Sequence, residues 1–432
     1  MPLSDAQWVR ENSHKLSPSL RKRILASYRP VRHAPRFINK LYLGIMHRWR
    51  TFPVIVRLDP RALTTFTARE VRNVAGCKIR RNLPLLSAFS TKANMHLLRA
   101  LAENKNVVRI WFDEEVHAVL DTATPAVLGG NDWWQLDATG KGVTIAVLDT
   151  GVYNHPDLQD RIIAFWDPVN NRKKPYDDNG HGTHVAGCAA GNGLASGGLY
   201  RAPAPEANIV GIKVLNKTGS GSLSTVIEGI QWCLQYKERY RIRIINLSLG
   251  TAAQLPYDDD PVCLAAEKAW EAGILVCAAA GNSGPEPGTI NSPGIHPCLL
   301  TVGAAAENTG KNEAGIAAFS SRGPAPGGVV KPDVVAPGVD ITSLRSPASF
   351  LDKNQKNFRV GKDYFKLSGT SMATPLCAGV AALLLQKKNA LTPQQVKELL
   401  RDTATPLAGY KENDQGGGMI NAARALQYLD QI

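Results

Sequence analysis

A chain of 432 residues with 44% apolar and 20% charged side chains has the composition of a folded protein, which excludes a disordered or fibrous one, and its length exceeds one minimal domain. The formal charge of +13 is uneven: residues 1–120 hold 22 Lys and Arg against 8 Asp and Glu, and the remainder holds 28 against 29. The longest apolar runs, such as 378–385, fall far short of the ~20 residues a membrane span requires, so none is expected.

Residues 1–50 read as a basic leader. Arg21, Lys22, Arg23, Arg29, Arg32, Arg36, Arg48 and Arg50 are interleaved with Tyr28, Phe37, Tyr42 and Trp49, a pattern suited to phosphate or lipid. The plainer reading is a solvated, partly helical leader, and a third is docking onto the near-neutral remainder of the chain. No nucleic-acid-binding module accompanies the charge, so nucleic acid is not expected as a partner. Asp5, Arg10, Glu11 and Lys15 interrupt the apolar run that a secretory signal needs. Cys77, Cys188, Cys233, Cys263, Cys277, Cys298 and Cys377 are odd in number, show no C-x-x-C spacing and mostly sit in apolar stretches. Reduced thiols and a cytoplasmic location are expected.

Residues 51–118 read as a small α+β domain: a strand at 53–58, a short helix at 66–75, a helix at 92–104 and a strand at 107–111. Pro125, Gly129, Gly130, Asp132 and Gly140 mark 119–141 as a connector, where the domain boundary is placed. From 142 to 432 the pattern changes to unalternated apolar runs at 143–148, 209–215, 244–247, 274–279 and 299–302, separated by helical stretches. Strands apolar on both faces belong in a parallel sheet covered by helices, so the fold class is α/β.

The candidate chemistry lies at the ends of these runs. Asp149 follows the first, and catalytic groups in open α/β sheets gather at strand carboxyl ends; alone it also reads as a turn former or cap. His181 opens His-Gly-Thr-His, ahead of an apolar helical stretch. Its spacing to His184 permits a metal pair, but H-E-x-x-H is absent and no further ligand stands at a convincing distance. His184 reads better as a structural residue under the first turn. Ser371 lies in the segment 368–375 that leads into the apolar helix expected from 376 to 385, where the positive helix end and its own N–H can face a developing oxyanion; an N-cap is the competing reading. Asn282 projects beyond the run 274–279 through Gly281, or serves the turn Asn-Ser-Gly-Pro. Asp, His and Ser in that order match one of three known arrangements of a serine-hydrolase triad, and no G-x-S-x-G elbow is present.

With these motifs in place, residues 130–427 resemble the subtilisin family. The resemblance rests on Val147-Leu148-Asp149-Thr150-Gly151-Val152, His155-Pro156-Asp157-Leu158, Asn179-Gly180-His181-Gly182-Thr183-His184-Val185-Ala186-Gly187 and Gly369-Thr370-Ser371-Met372-Ala373-Thr374-Pro375. It implies a serine endopeptidase of broad specificity with Asp149, His181 and Ser371 as triad and Asn282 as oxyanion donor. It further implies polypeptide substrates that pair with Gly219, Ser220 and Gly221 on one side and Ser248, Leu249 and Gly250 on the other. A primary pocket is implied between the latter and Ala280 and Gly281, with Asn291 near its base and a preference for uncharged or aromatic side chains. No cofactor is implied for the chemistry, but a structural calcium is, at Asp157 with the Gly-rich loop 191–198, which is poor in carboxylates. Residues 51–118 are similar in element order to the family's propeptide, so the chain's own N-terminal domain is an expected partner and the protein an expected self-processed zymogen. The resemblance is closer to intracellular bacterial members than to secreted ones.

Overall fold

The computed structural model describes residues 3–27, 50–60, 77–118, 138–306 and 315–429. The expected helix at 66–75, the connector up to 137, and the leader from Tyr28 to Trp49 lie outside these. The chain forms two compact units, residues 1–114 and 115–432.

In the first unit, strands β1 (Phe52–Leu58), β2 (Arg81–Leu83), β3 (Ala88–Ala93) and β4 (Val107–Phe112) form an antiparallel sheet in the order β2-β3-β1-β4. Helix Met95–Glu103 starts on Asn94, whose side chain accepts the Leu97 N–H, and buries Leu97, Leu98 and Leu101. The leader departs here from the solvated segment expected. Helices Leu3–Glu11 and Pro18–Ala26 contribute Trp8, Val9, Leu20 and Ile24 to the same core as Val54, Val56, Leu98 and Ile110. Between them the chain runs along the open edge of β4: the Ile110 N–H donates to the Lys15 carbonyl at 2.8 Å and the Ser17 N–H to the Ile110 carbonyl at 3.0 Å. Lys15 Nζ then satisfies the Ala102 and Asn104 carbonyls at the carboxyl end of helix Met95–Glu103. Residues 3–27 are therefore part of this unit's fold.

The second unit begins with β5 (Glu115–Ala118), a strand that the sequence alone places with the N-terminal domain. The five apolar runs become β6 (Thr144–Asp149), β8 (Asn208–Lys213), β10 (Ile242–Leu247), β12 (Leu275–Ala279) and β14 (Leu300–Ala306), and β7 (Ile162–Trp166), β9 (Ser220–Ser222), β11 (Leu249–Ala252), β13 (Asn291–Ser292), β15 (Gly315–Ile316) and β16 (Val334–Pro337) join them. The main sheet has the order β15-β14-β12-β10-β6-β8-β7, with β16 also on β14, and only β15 runs antiparallel. Strands β6 and β12 are buried at every residue, as an apolar run without alternation requires. Helix Thr370–Lys387 is buried from Thr370 to Leu385 and packs on β10, β12 and β14; a helix apolar all round has no face to give to water. Strands β13, β11, β5 and β9 form a second, antiparallel sheet.

A buried charge network ties β14 to helix Pro393–Asp402. Asp333 accepts from Lys331 at 2.7 Å, Lys397 at 2.9 Å and the Thr301 N–H at 2.7 Å, and both ammonium groups also reach the Leu299 carbonyl. Six of the seven thiols are buried, and Cys298 is half-buried with its sulfur 2.9 Å from His296 Nδ1; all seven are free. Burial pushes the Cys188 thiol up to about 12.

Asp333→Ala leaves two buried cations without their carboxylate and is expected to cost about 3–5 kcal/mol. A urea unfolding midpoint equal to that of the unaltered chain would show that the network contributes nothing net.

Candidate active site

Strands β6, β10 and β12 are neighbours and run the same way, so the residues just past their carboxyl ends gather on one side of the sheet. Asp149 ends β6, Ser248 follows β10, and Gly281 and Asn282 follow β12. Helix His181–Ala190 packs on β6 and on helix Thr370–Lys387, bringing His181 and Ser371 on the first turns of two touching helices to these strands.

Asp149 and His181 are fully buried and meet directly, Oδ1 to Nδ1, at 2.7 Å. A carboxylate can only accept, so His181 Nδ1 carries the proton and donates, which leaves Nε2 as the acceptor of the neutral ring. That Nε2 is buried and has no hydrogen-bond partner among the described residues. Asp149 Oδ1 also accepts the Thr150 N–H at 2.7 Å. His184 faces elsewhere: its Nε2 donates to the Ile341 and Phe365 carbonyls, so the two histidines share no ligand position. Burial and the neighbouring His181 push His184 down to about 3, which keeps it neutral.

Ser371 is held to the end of β10 by a reciprocal pair. Its hydroxyl donates to the Ser248 carbonyl at 2.9 Å, and the Ser248 hydroxyl donates to the Ser371 carbonyl at 2.9 Å. The second bond has a cause in the sequence: residue 375, whose N–H would close the helical bond to Ser371, is proline and has none. Asn246 Nδ2 donates to the same Ser248 hydroxyl. Asn282 Oδ1 accepts from the Thr370 N–H at 3.0 Å and hydroxyl at 2.9 Å, which fixes the amide orientation and leaves Nδ2 buried without a partner among the described residues. A buried acceptor on His181, a buried donor on Asn282 and a serine at a helix start are the parts needed to deprotonate a hydroxyl and stabilise an oxyanion.

The expected substrate edges are also brought together. Gly219 precedes β9, which carries Ser220 and Gly221; Leu249 and Gly250 lie on β11 directly after Ser248. Between them lies β5: Val116 pairs with Gly221, His117 with Ser220 and Gly250, and Ala118 with Leu249. Asn291 on β13 donates its N–H to the Ala280 carbonyl at 2.8 Å. A Cβ on Gly281 would stand 2.8 Å from Asn291 Cγ and one on Gly250 3.2 Å from Asn291 Cβ, so glycine alone leaves the space at this wall.

Asp157, the expected calcium ligand, is buried and hydrogen-bonded on both side-chain oxygens. Its Oδ1 accepts the Ala195 N–H at 2.8 Å and its Oδ2 the Tyr364 hydroxyl at 2.7 Å, while the Gly193 carbonyl in the loop accepts from Ser196 and Gly198. Among the described residues no three His, Cys, Asp or Glu side chains cluster. The roles of Ser248 and Thr370 as holders of Ser371 and Asn282, and the presence of β5 between the two edges, were missed from the sequence; Pro375 was the one local signal for the first.

Residues 140–420 match the Subtilase family. The chain is 45% identical over 441 residues to "Serine protease AprX" of Bacillus subtilis strain 168, covering 98% of each protein. It is 32% identical over 376 residues to a "Thermostable alkaline protease" of Halalkalibacterium halodurans, covering 86% of this chain and 91% of that one. In fold it is similar to the crystal structure of fervidolysin from Fervidobacterium pennivorans, described as a keratinolytic enzyme related to subtilisin, with a TM-score of 0.70 at 24% identity. That match covers 88% of this chain, which spans 61% of fervidolysin's.

A Cβ at Gly182 would lie 2.2 Å from the Gly151 carbonyl oxygen and 3.1 Å from Asp149 Oδ1. Gly182→Ala must therefore move His181 off Asp149, with kcat for peptide hydrolysis expected to fall up to ~100-fold in a protein that keeps its circular dichroism spectrum. Unchanged turnover would show that the helix start yields without cost.

Proposed function

The chain belongs to the subtilase family, and from that premise we propose that it is a serine endopeptidase of broad specificity, made as a self-processed zymogen. The observation that carries the reading is the buried 2.7 Å contact between Asp149 and His181, with the free Nε2 on the far side of the ring.

In this reading the Ser371 hydroxyl turns from the Ser248 carbonyl to His181 Nε2, gives up its proton and attacks the scissile carbonyl. Asp149 holds the ring and stabilises the imidazolium. Asn282 Nδ2 and the Ser371 N–H receive the oxyanion, His181 returns its proton to the leaving amine, and water then releases the acyl group. No cofactor takes part.

An extended polypeptide adds as a strand between β9 and β11, through main-chain hydrogen bonds that read little of its sequence. Broad specificity follows from that, and the space beside Gly281, Gly250 and Asn291 suits an uncharged or aromatic side chain. The chain's own residues 115–118 pair in this manner, which supports a zymogen whose groove opens on release of this segment. Seven free thiols support a reducing compartment such as the cytoplasm.

Casein and an aromatic-ended peptide anilide should be hydrolysed by the unaltered chain and not by Ser371→Ala, and only the former should shorten on a gel. A full-length, inactive unaltered protein would sink the self-processing reading. Asn282→Ala should lower kcat on the order of 10²–10³-fold, the size found when a subtilisin oxyanion donor is removed, with KM little changed.

A further inference from the structure

Thr150, the residue after Asp149, is gripped from two sides by groups without a part in the chemistry above. Its hydroxyl donates to Asp177 Oδ1 at 2.9 Å and accepts the Gly182 N–H at 2.9 Å. Its carbonyl accepts from Lys213 Nζ at 2.5 Å. Lys213 is fully buried, lies opposite Asp149 in the β6–β8 register, pairs with Asp178 Oδ1 at 2.6 Å and stands 5.3 Å from the Tyr176 ring centre.

Asp177 is the centre of this arrangement. Besides the Thr150 hydroxyl, its Oδ1 accepts the Asn179 N–H at 3.1 Å and the Gly180 N–H at 2.9 Å, and its Oδ2 accepts the Thr183 N–H at 2.9 Å and hydroxyl at 2.7 Å. Five donors fill the roughly four lone-pair sites of a carboxylate, leaving none for a substrate. Helix His181–Ala190 has Gly180 at its N-cap, which offers no side-chain oxygen. Asp177 supplies that oxygen from three residues upstream, and its negative charge suits the helix start. The same carboxylate thus binds the strand end that carries Asp149 and the helix turn that carries His181.

We infer that Asp177, acting through Thr150 and seconded by the Lys213–Asp178 pair, is the positioning residue that holds His181 against Asp149. The inference rests on the triad reading under Proposed function. It predicts a loss in turnover with substrate affinity spared, because Asp177 spends its oxygens on Thr150 and the helix start. It also predicts a displaced pH profile. The charged groups facing His181 are Asp149 on β6, Lys213 on β8, Asp177 and Asp178 ahead of the helix, and neutral His184 on it; Thr150→Val alters none of them. If the contact with Asp149 loosens, the imidazolium loses stabilisation and the acid limb of kcat/KM moves to lower pH.

The test is peptide anilide hydrolysis by the full chain, unaltered and as Thr150→Val, Thr150→Ser, Asp177→Asn and Ser371→Ala, each checked for folding by circular dichroism. Thr150→Val and Asp177→Asn should lose between ~10- and ~100-fold in kcat with KM within about twofold, and Thr150→Ser, which keeps the hydroxyl, should recover to within about threefold. Should Asp177→Asn not fold, the Val and Ser variants carry the comparison. Full turnover in Thr150→Val, a loss confined to KM, an unmoved acid limb, or a Ser variant no better than Val overturns the inference while an inactive Ser371→Ala leaves the triad reading standing. Activity retained in Ser371→Ala sinks the triad reading and this inference with it.

Discussion

A carboxylate and an imidazole taken wholly out of water are tolerable only when each is hydrogen-bonded, and Asp149 and His181 meet that condition largely through each other. The contact demands that the end of one strand and the beginning of one helix meet to within a few tenths of an ångström. A parallel sheet provides the frame, since β6, β10 and β12 deliver Asp149, Ser248 and Asn282 at adjacent carboxyl ends. Ser371 arrives from inside: helix Thr370–Lys387 has no polar face, so burial drives it against the sheet and carries Ser371 with it. Proline at 375 then frees the Ser371 carbonyl for the Ser248 hydroxyl, joining the helix to the strand end by a bond that an unbroken helix would not have left open.

How much of this was legible in the sequence depended on whether the cause was local. The unalternated apolar runs become β6, β8, β10, β12 and β14 because burial on both faces leaves its mark on each strand separately. Asp149, His181, Ser371 and Asn282 stood out because each sits at a boundary between a run and a turn or helix, a position readable from a few neighbours. Asp177 and Lys213 were not singled out, since both reach the Asp149 strand end through Thr150, 27 and 63 residues away. Asp157 shows the same limit: the Ala195 N–H and the Tyr364 hydroxyl that its side chain accepts from are 38 and 207 residues distant.

The leader was misread for a different reason. Its composition is dominated by Arg and Lys, which points to water, but these side chains are long and can lie with an apolar stem or a flat guanidinium over a ring while the charge stays wet. Arg23 lies over Phe112 in this way, and Arg99 of helix Met95–Glu103 lies over the leader's Trp8. The residues that decide the fold are the few apolar ones in between, Trp8, Val9, Leu16, Leu20 and Ile24, and all five are buried. Average charge described the surface of this segment and said nothing of its inner side.

The thiols give the molecule a built-in record of its own integrity. Six lie behind close-packed side chains, where burial holds the sulfur protonated, and the seventh is half-covered and in contact with His296. A sulfur reagent therefore meets an almost silent protein while the fold is closed, and counts a new thiol for each region that opens. Cys277 and Cys377 lie in the sheet and the central helix, Cys77 in the N-terminal core, and Cys233 and Cys263 in helices outside them. Because these positions are spread through both units, the order in which they become reactive maps the order in which the structure comes apart.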